Sequence, residues 1–227
     1  MKLFLESVKQ EAGDAYSFIF RPETPLTWQA GQFMHYNLIH RNPDSRKTER
    51  YFTISSAPYE KNIMITTRLV EAASSFKKAL KAMPVGGEIE ADGPQGEFTV
   101  PDDVGEAVFI AGGIGITPFH SILLDLDHRG VAIHATLMYA NSTEHFVFRE
   151  ELEALAKRQP GFKMIYFVGG NLIDEAAIRR AAADVAHPVF YISGPEPMVQ
   201  AMEAILKGMG VPEENIKRDY FPGYDWP

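Results

Sequence analysis

Three closely spaced glycines follow a short apolar segment and precede a run with helical spacing, an arrangement that can bind a phosphate group. The apolar segment spans residues 107–110, the turn spans residues 111–118, and the helical run continues to residue 126. Glycines permit close approach of the backbone to a ligand, and a helix start presents free N–H groups with a partial positive charge. Pro118 suits the first helical turn, where its missing N–H costs nothing. Such turns also join strands to helices for structural reasons alone, so this segment leaves both interpretations open.

A second segment, residues 50–58, combines on one predicted strand the residue types that a phosphorylated aromatic ligand requires. It offers the cation of Arg50, the flat apolar ring of Phe52 and the small hydroxyl of Thr53. Because side chains alternate along a strand, Arg50 and Phe52 share one face and Thr53 lies on the other. An ordinary strand with a surface arginine has the same pattern, and only its combination with other motifs favours a ligand site.

A third segment, residues 191–198, ends the last predicted parallel strand and begins a helix, at the sheet edge where ligands gather. In this order the three segments resemble the motifs of the ferredoxin–NAD(P) reductase superfamily. Those motifs are an Arg-x-aromatic-Ser/Thr run, a Gly-Gly-x-Gly-x-Thr-Pro turn and a Cys/Ser-Gly-Pro-x-x-Met segment. Residues 93–98 and the aromatic tail at 219–224 are similar to further marks of the family. The resemblance covers essentially the whole chain.

The resemblance implies a flavoprotein that accepts a hydride from NAD(P)H onto flavin N5 and passes the electrons on. It assigns the flavin phosphate to Arg50, the ring or ribityl portion to Phe52 and the N5 position to Thr53, with Tyr51 as a further cofactor contact. Thr53 and Ser193 are the residues expected nearest the reacting atoms. This chain has phenylalanine where most members have tyrosine, and serine where many have cysteine.

Further residues are assigned to cofactors by the same resemblance. The flavin pyrophosphate is assigned to a helix start after the next hairpin, with a plain helix cap as the alternative: Arg68, Ser74 and Ser75. The pyridine nucleotide is assigned to the glycine turn and the 191–198 segment: Gly113, Gly115, Thr117, Gly194, Pro195 and Met198. Phe221, or Tyr220 beside it, is expected to stack on the flavin, with packing onto the barrel surface as the alternative. FAD is therefore expected, with FMN as the less favoured cofactor.

The end of the second strand of the predicted parallel sheet bears on the choice between NADH and NADPH. A 2′-phosphate normally needs arginine or lysine there. Residues 139–143 offer only neutral hydroxyls and amides and are followed by Glu144, while Arg149 is expected one or two turns into a helix. The segment favours NADH over NADPH as the substrate.

Size, composition and charge limit the possible functions. The chain has 227 residues, which suffices for two domains of about 100 residues each. It has no cysteine, which excludes a disulfide, a cysteine-ligated iron–sulfur cluster and a cysteine nucleophile. Its formal charge of −8 falls entirely after residue 100, because residues 1–100 hold 12 basic and 12 acidic side chains. Phosphate neutralisation needs a basic excess, so nucleic acid is not expected as a partner.

Metal ions, membranes and hydrolytic triads are not expected either. The seven histidines show neither i,i+4 pairing nor clustering with carboxylates, and no Ser-His-Asp spacing is present. The first residues lack the apolar core of a signal peptide, and no apolar run approaches the roughly 18 residues of a membrane span. A cytoplasmic location is the default expectation.

The elements that must position these residues fall into two series. Up to about residue 100 short strands alternate with turns, with one helix near residues 75–83, which predicts a small antiparallel barrel. From about residue 105 strands and helices alternate, which predicts a parallel sheet covered on both faces. Together with the resemblance, this predicts a flavin-binding antiparallel β-barrel domain at residues 1–101 and an α/β NAD(P)-binding domain at residues 102–227, with a hinge at residues 101–105.

The electron acceptor is expected to be a separate protein. Local cations of the first half, among them Lys77, Lys78 and Lys81, could steer a small acidic redox protein such as ferredoxin or flavodoxin by long-range attraction. Two alternatives stay open. One is an NAD(P)H:flavin reductase, which treats free flavin as a substrate, and the other is an electron-transfer subunit of a larger complex.

Overall fold

The structure, a computed structural model, describes residues 1–102, 107–183 and 185–220, together with the backbone of residue 221. It contains two β-sheets, and each is built from one half of the chain. Residues 103–105 of the predicted hinge lie outside the described residues, and so do the side chain of residue 221 and all of residues 222–227 in the aromatic tail.

The first half forms a six-stranded antiparallel sheet. Its strands are β1 (Lys2–Ala12), β2 (Ala15–Pro22), β3 (Phe33–Asn37), β4 (Glu49–Thr53), β5 (Ile63–Arg68) and β6 (Glu88–Gln95), and helix α1 (Ser75–Ala82) precedes β6. The strand order is β4-β3-β6-β1-β2-β5. The sheet curls until the segment after β4 meets β5, where the amide of Ser55 donates to the carbonyl of Met64 at 2.9 Å. This half-closed barrel confirms the antiparallel architecture predicted for the first half.

Large side chains fill the inside of the curled sheet. Strand alternation sends one face of each strand inward, and the residues buried there include Leu3, Phe18, Phe20, Met34 and Tyr36. Helix α1 contributes Phe76 and Leu80, which lie four residues apart and therefore on one face. Burying each large apolar side chain is worth about 1.5–3 kcal/mol. The core holds β3, β4 and α1 in a fixed arrangement.

The second half forms a five-stranded parallel sheet with helices between the strands. Its elements are β7 (Ala107–Gly112), α2 (Ile116–His128), β8 (Ala135–Asn141), α3 (Arg149–Arg158), β9 (Phe162–Val168), α4 (Glu175–Ala181), β10 (Val189–Pro195), α5 (Glu196–Gly208) and β11 (Ile216–Phe221). The strand order is β11-β10-β7-β8-β9, and every neighbouring pair is parallel. All six residues of β7 are buried, as expected for a central strand covered on both faces. The predicted α/β sheet is confirmed.

The edge strand β11 is an element that the sequence pattern did not predict. Three consecutive charged residues, 217–219, interrupt its apolar character, and a strand needs no continuous apolar run when it lies at the edge of a sheet. Its pairing with β10 places Asp219 directly opposite Ser193. A carboxyl group of the C-terminal segment therefore reaches the carboxyl end of the parallel sheet.

The two halves share part of their apolar core. Ala15, Met64 and Phe98 of the first half belong to the same buried cluster as Phe109 and Phe119 of the second. The rings of Phe98 and Phe119 lie 5.7 Å apart at an angle of 64°. The boundary between residues 101 and 102 remains a prediction.

Candidate active site

A cleft of about 630 Å³ opens where the two halves meet, a size typical of small-ligand sites. Strands β3, β4 and β5 and helix α1 line one side, and the glycine turn, α2 and β11 line the other. The structure brings together six of the cofactor contacts predicted from the sequence: Arg50, Tyr51, Phe52, Thr53, Thr117 and Tyr220. Sequence reasoning missed Phe33, Thr66, Ile114 and Asp219, which also line the cleft.

Strand β4 supplies most of the first wall. The guanidinium carbon of Arg50 lies 5.5 Å from the centre of the Phe76 ring, and the Phe52 ring lies 5.7 Å from it. Tyr51 is 63% exposed at the mouth of the cleft, whereas Thr53 is buried at the inner end of the strand. Along the cleft, β4 therefore presents a cation, two aromatic rings and a hydroxyl.

Arg50 is held by an internal network. Its Nη2 donates to both carboxylate oxygens of Asp44 at 2.8 Å, and its Nη1 donates to the backbone carbonyls of residues 46, 47 and 49. Its Nε is buried and has no partner among the described atoms. A buried N–H without an acceptor is costly, so Nε–H is the donor of Arg50 that remains for a ligand.

Asp44 completes this network at the start of α1. Burial alone would raise the pKa of Asp44, but hydrogen bonds from the amide of Arg46, the guanidinium of Arg50 and the amide of Ser75 lower it to about 2. Because the pKa is lowered, these contacts stabilise the fold fully above about pH 4, the ordinary pKa of an aspartate. The stabilisation is lost as the pH falls through about 2.

Arg50→Gln is expected to lower the free energy of unfolding at pH 7 by about 3 kcal/mol, because it leaves the Asp44 carboxylate partly buried without its cation. Urea unfolding measures the change. The matched control is Arg46→Gln, an exposed arginine of the same segment, for which less than about 0.5 kcal/mol is expected. Equal midpoints for the two variants would show that the pair with Asp44 does not stabilise the fold.

The helix start assigned to the flavin pyrophosphate lies beside the cleft, on an open groove of about 640 Å³. Ser74 is the N-cap of α1, and its hydroxyl accepts from the amide of Lys77 at 3.4 Å. The hydroxyl of Ser75 accepts from the amide of Asp44 and lies 2.9 Å from His40 Nε2. Three cationic side chains also line this groove: Arg41, Arg46 and Lys78.

Arg68 lies away from the main cleft. Its Nε and Nη2 donate to the two carboxylate oxygens of Asp14 at 2.8 and 3.1 Å. It lines a separate cavity of about 110 Å³ beneath the glycine turn, together with Gly113 and Tyr139. The hydroxyl of Tyr139 donates to the carbonyl of Gly113 at 3.1 Å and supports the turn from this side.

Two of the predicted glycines have different structural tasks. Gly113 has φ of 53°, in the left-handed region that favours glycine, and a Cβ there would meet only Asn141 Oδ1 at 3.8 Å. A Cβ on Gly115 would collide with the carbonyl of Ser193 and lie 2.7 Å from the Cα of Gly194. Gly113 therefore bends the chain, and Gly115 lets the turn contact β10.

The other predicted residues of this region support the turn from below. A Cβ on Gly112 would collide with the sulfur of Met198 and lie 3.2 Å from the ring of Pro195, and Gly194 packs against the same glycine. Met198 is fully buried in the core on that side of the sheet. None of these side chains lines the cleft, which the turn and α2 reach through Ile114 and Thr117.

The pairing of β10 and β11 brings an unpredicted carboxyl group into the cleft. The buried hydroxyl of Ser193 donates to Asp219 Oδ2 at 3.2 Å, and Asp219 lines the cleft. Burial raises the pKa of Asp219 to about 7, and the hydrogen bond from Ser193 opposes this only in part. Burial therefore favours the protonated form of the Asp219 carboxyl group. Its neighbour Tyr220 also lines the cleft and is 47% exposed.

Thr66 belongs to a chain of buried hydroxyls at the floor of the cleft. Its oxygen lies 2.8 Å from the hydroxyls of both Ser17 and Ser55, and Ser55 donates to the carbonyl of Met64 at 2.8 Å. Because Ser55 uses its proton on that carbonyl, Thr66 donates to Ser55 and Ser17 donates to Thr66. The floor is a satisfied network that keeps a fixed geometry.

The end of β8, which bears on binding of the 2′-phosphate of NADPH, is also acidic in the structure. Arg149 is the first residue of α3, which corrects the expectation that it lies one or two turns inside a helix. Its Nε donates to Glu153 at 2.8 Å, its guanidinium carbon lies 4.7 Å from the centre of the Tyr166 ring, and Glu144 lies 3.9 Å from it. Arg149 is therefore engaged by two carboxylates and a ring.

Within the described ranges, no helix is long and apolar enough to cross a membrane. The same part of the chain contains no group of three or more histidine, aspartate and glutamate side chains arranged to hold a metal ion.

Residues 109–204 match the family of the oxidoreductase NAD-binding domain. Over 213 residues the chain is 29% identical to the reductase component of phenol 2-monooxygenase from Pseudomonas sp. (strain CF600), covering 88% of this chain and 59% of that protein. The chain spans only 43% to 64% of the length of eight curated relatives, this reductase component among them.

Two solved structures have the same fold over nearly their whole length. One is the FAD/NAD-binding domain of nitric oxide dioxygenase from Vibrio cholerae, with a TM-score of 0.81 and 20% identity over 97% of this chain and 98% of that one. The other is the ferredoxin-NADP⁺ reductase from Plasmodium falciparum, with a TM-score of 0.80 and 17% identity over 97% of this chain and 95% of that one. Residues 109–204 match the NAD-binding domain and the whole chain shares the fold of these two structures, which confirms the resemblance to the ferredoxin–NAD(P) reductase superfamily that its motifs carry.

Proposed function

We propose that the chain is an NAD(P)H-dependent flavin oxidoreductase, which takes electrons from a reduced nicotinamide nucleotide and passes them to a separate acceptor. One observation carries the proposal: β4 of the first half faces the glycine turn and β11 of the second half across the same cleft. The relatives support it, because they include a reductase component of a monooxygenase and an FAD/NAD-binding domain.

The residues of the cleft fit a flavin. The unpartnered Nε–H of Arg50 is a donor that a phosphate oxygen would satisfy. Phe52 and Tyr51 offer ring surfaces, and Thr53 offers a hydroxyl for the reactive edge. When bound, the flavin supplies the conversion between two-electron and one-electron transfer. The residues of this chain bind and orient it.

We infer FAD rather than FMN because cationic and hydroxyl groups continue beyond the cleft. The groove at the start of α1 offers Ser74, Arg41, Arg46 and Lys78 to a second phosphate and its nucleotide. The amide of Ser75 already donates to Asp44 and is not available to a phosphate. The assignment of FAD therefore rests on the side chains of the groove. Flavin released by acid and separated by chromatography identifies the cofactor, and FMN in stoichiometric amount would refute the role of the groove.

The second half is proposed to bind the nucleotide and to supply a proton-holding group. The segment with Gly113, Gly115 and Thr117 would hold the nucleotide over the flavin wall, and Gly194 and Pro195 would flank it, with Met198 as support beneath. Asp219 would hold a proton within the cleft, and Ser193 would orient its carboxyl group. No protein nucleophile is needed for this chemistry.

The first test is the visible absorption spectrum of the purified, desalted protein before and after anaerobic addition of NADH or NADPH. Stoichiometric flavin that one of the nucleotides bleaches rapidly is the expected result. Flavin that stays oxidised with both nucleotides would overturn the assignment of the nucleotide site. A colourless protein whose activity returns with added free flavin would replace the proposal with a reductase that uses flavin as a substrate.

We infer that NADH is the preferred donor, because Arg149 is engaged by Glu144 and Glu153 and the strand end is acidic. The kcat/KM for NADH is expected to exceed that for NADPH. Glu144→Lys should lower the ratio of kcat/KM for NADH to kcat/KM for NADPH roughly tenfold, since a two-unit change of charge near an exposed phosphate is worth about 1–2 kcal/mol. Glu214→Lys, before β11 at the opposite edge of the sheet, is the matched control. A preference for NADPH in the wild type would contradict the inference.

The acceptor is proposed to be a small acidic redox protein such as ferredoxin or flavodoxin. The cations beside the cleft and its groove, Lys78 and Arg41 among them, support a docking face of that charge. Charge reversal at Lys81, an exposed lysine of α1 that lines neither the cleft nor the groove, should slow reduction of such an acceptor at low salt while NADH oxidation by a small dye is unchanged. Partner chains that co-purify at fixed stoichiometry would instead favour an electron-transfer subunit of a larger complex.

A further inference from the structure

One buried histidine joins the two halves of the molecule. His120 lies on α2, is 2% exposed, and its Nδ1 is 2.6 Å from the carbonyl oxygen of Ser55 in the first half. Its Nε2 is 2.9 Å from a carboxylate oxygen of Glu151 on α3. A carbonyl oxygen and an ionised carboxylate only accept hydrogen bonds, so both ring nitrogens must carry a proton. The contacts therefore describe an imidazolium ion between the two halves.

The start of α3 is shaped around this imidazolium. Phe148, the N-cap of α3, has φ of 61°, a left-handed conformation that is unfavourable for an aromatic residue. Its ring stacks on His120 with centroids 3.7 Å apart and planes inclined by 21°. Glu151 follows three residues later in the first helical turn. Such strain persists only where the surroundings fix it, and here the result is a ring and a carboxylate on one imidazole.

The Ser55 side of the contact is equally well fixed. The amide and hydroxyl of Ser55 both donate to the carbonyl of Met64. The next carbonyl, that of Ser56, accepts from the hydroxyl of Ser121 at 2.7 Å, so α2 is bonded to this segment at two successive residues. Ser55 lies two residues after Thr53, and His120 lies three residues after Thr117. The contact therefore links the two walls of the cleft by short, hydrogen-bonded paths.

We propose that His120 is a positioning residue, which as an imidazolium between Ser55 and Glu151 fixes the wall with Thr117 relative to the wall with Thr53. His120 does not line the cleft and acts through these two walls. The inference rests on the proposed function only in taking the cleft as the reaction site. A neutral imidazole has one N–H, so loss of a proton breaks one of the two bonds and loosens the junction.

The charged groups around the junction keep the Glu151 carboxyl group ionised. Glu151 is half exposed, and the hydrogen bond from His120, together with Lys9 of β1 and Arg158 of α3, lowers the pKa of its carboxyl group despite the opposing effect of burial. Burial and the carboxylates of Glu60 and Glu151 raise the pKa of Tyr59, which faces the junction from residues 58–60. Glu151 therefore remains an ionised acceptor at neutral pH.

The protonation state of His120 is the direct test. We expect ¹⁵N NMR of the complete, histidine-labelled protein at pH 7 to show both ring nitrogens of His120 protonated, with the signal assigned from its loss in His120→Gln. Glu151→Gln should remove one of the two protonated signals. Glu150→Gln is the matched control, because Glu150 is an exposed carboxylate in the same helical turn. A neutral ring in the wild type at pH 7, or equal spectra for the two glutamine variants, would overturn the proposal.

A second readout separates positioning from general destabilisation. Glu151→Gln should slow flavin reduction by the preferred nucleotide roughly tenfold with less than a twofold change in KM, since a displacement of about 1 Å costs up to 100-fold. Glu150→Gln should keep both the wild-type rate and the wild-type KM. An unchanged rate of flavin reduction in Glu151→Gln would overturn the proposal. The NMR result needs no nucleotide and decides the protonation state of His120 even where the proposed reductase activity fails.

Discussion

Gly115→Ala is expected to abolish the response to the nicotinamide nucleotide and to lower the free energy of unfolding by about 3 kcal/mol or more. A Cβ at this position would collide with the backbone carbonyl of Ser193 and lie 2.7 Å from the Cα of Gly194. Backbone atoms of a central strand cannot move aside as the end of a flexible side chain can, so the cost reaches the upper end of the usual overpacking range. The glycine turn must separate from β10, and the wall of the cleft with Thr117 moves with it.

The backbone conformation of Gly115 makes this effect a purely steric one. Its φ of −61° is one that alanine adopts readily, so no conformational strain is added. Gly170→Ala is the matched control, because a Cβ there meets nothing within 4 Å and the residue has no left-handed φ. Urea unfolding and nucleotide titration of both variants measure the effects. Wild-type behaviour of Gly115→Ala would contradict the close contact between the turn and β10.

Asp219→Asn is expected to slow nucleotide-dependent reduction at pH 7 by about 100-fold or more, the usual contribution of a positioned proton-holding group. The asparagine retains an oxygen that can accept from Ser193, so the geometry of the pair is preserved while the proton is lost. Stopped-flow measurement of flavin reduction between about pH 5 and pH 9 tests this. Asp92→Asn, an exposed carboxylate on β6, is the control and should leave the rate unchanged. Equal rates in wild type and Asp219→Asn would remove Asp219 from the reaction.

The same substitution should change how stability depends on pH. Because folding raises the pKa of Asp219 from an ordinary value near 4 to about 7, its contribution to stability is complete below about pH 4 and is lost as the pH rises through 7. The loss has an upper limit of about 4 kcal/mol, which partial exposure to the cleft reduces. Asp219→Asn should remove this loss, so urea unfolding at pH 8 is expected to find the variant more stable than the wild type. Parallel pH profiles would contradict the raised pKa.

The local architecture of this protein could be predicted from its sequence. Alternation of period two between residues 3 and 92, and alternating strands and helices after residue 105, define an antiparallel and a parallel sheet. The faces of β4 also follow from its sequence, because side chains alternate along any strand. Arg50 and Phe52 accordingly pack against Phe76, and Thr53 lies on the other face at the inner end of the cleft.

Contacts between distant segments were decided only by the tertiary structure. Asp219 lies beside Ser193 because β11 pairs with β10 in one particular register, and the charged edge strand carries no local apolar signal. Arg68 at the end of β5 pairs with Asp14 just before β2, because these two strands are antiparallel neighbours, and His120 meets Ser55 across the junction of the two halves. Periodicity in the sequence encodes which face of an element is buried. Which elements become neighbours, and in what register, depends on the packing of the whole chain.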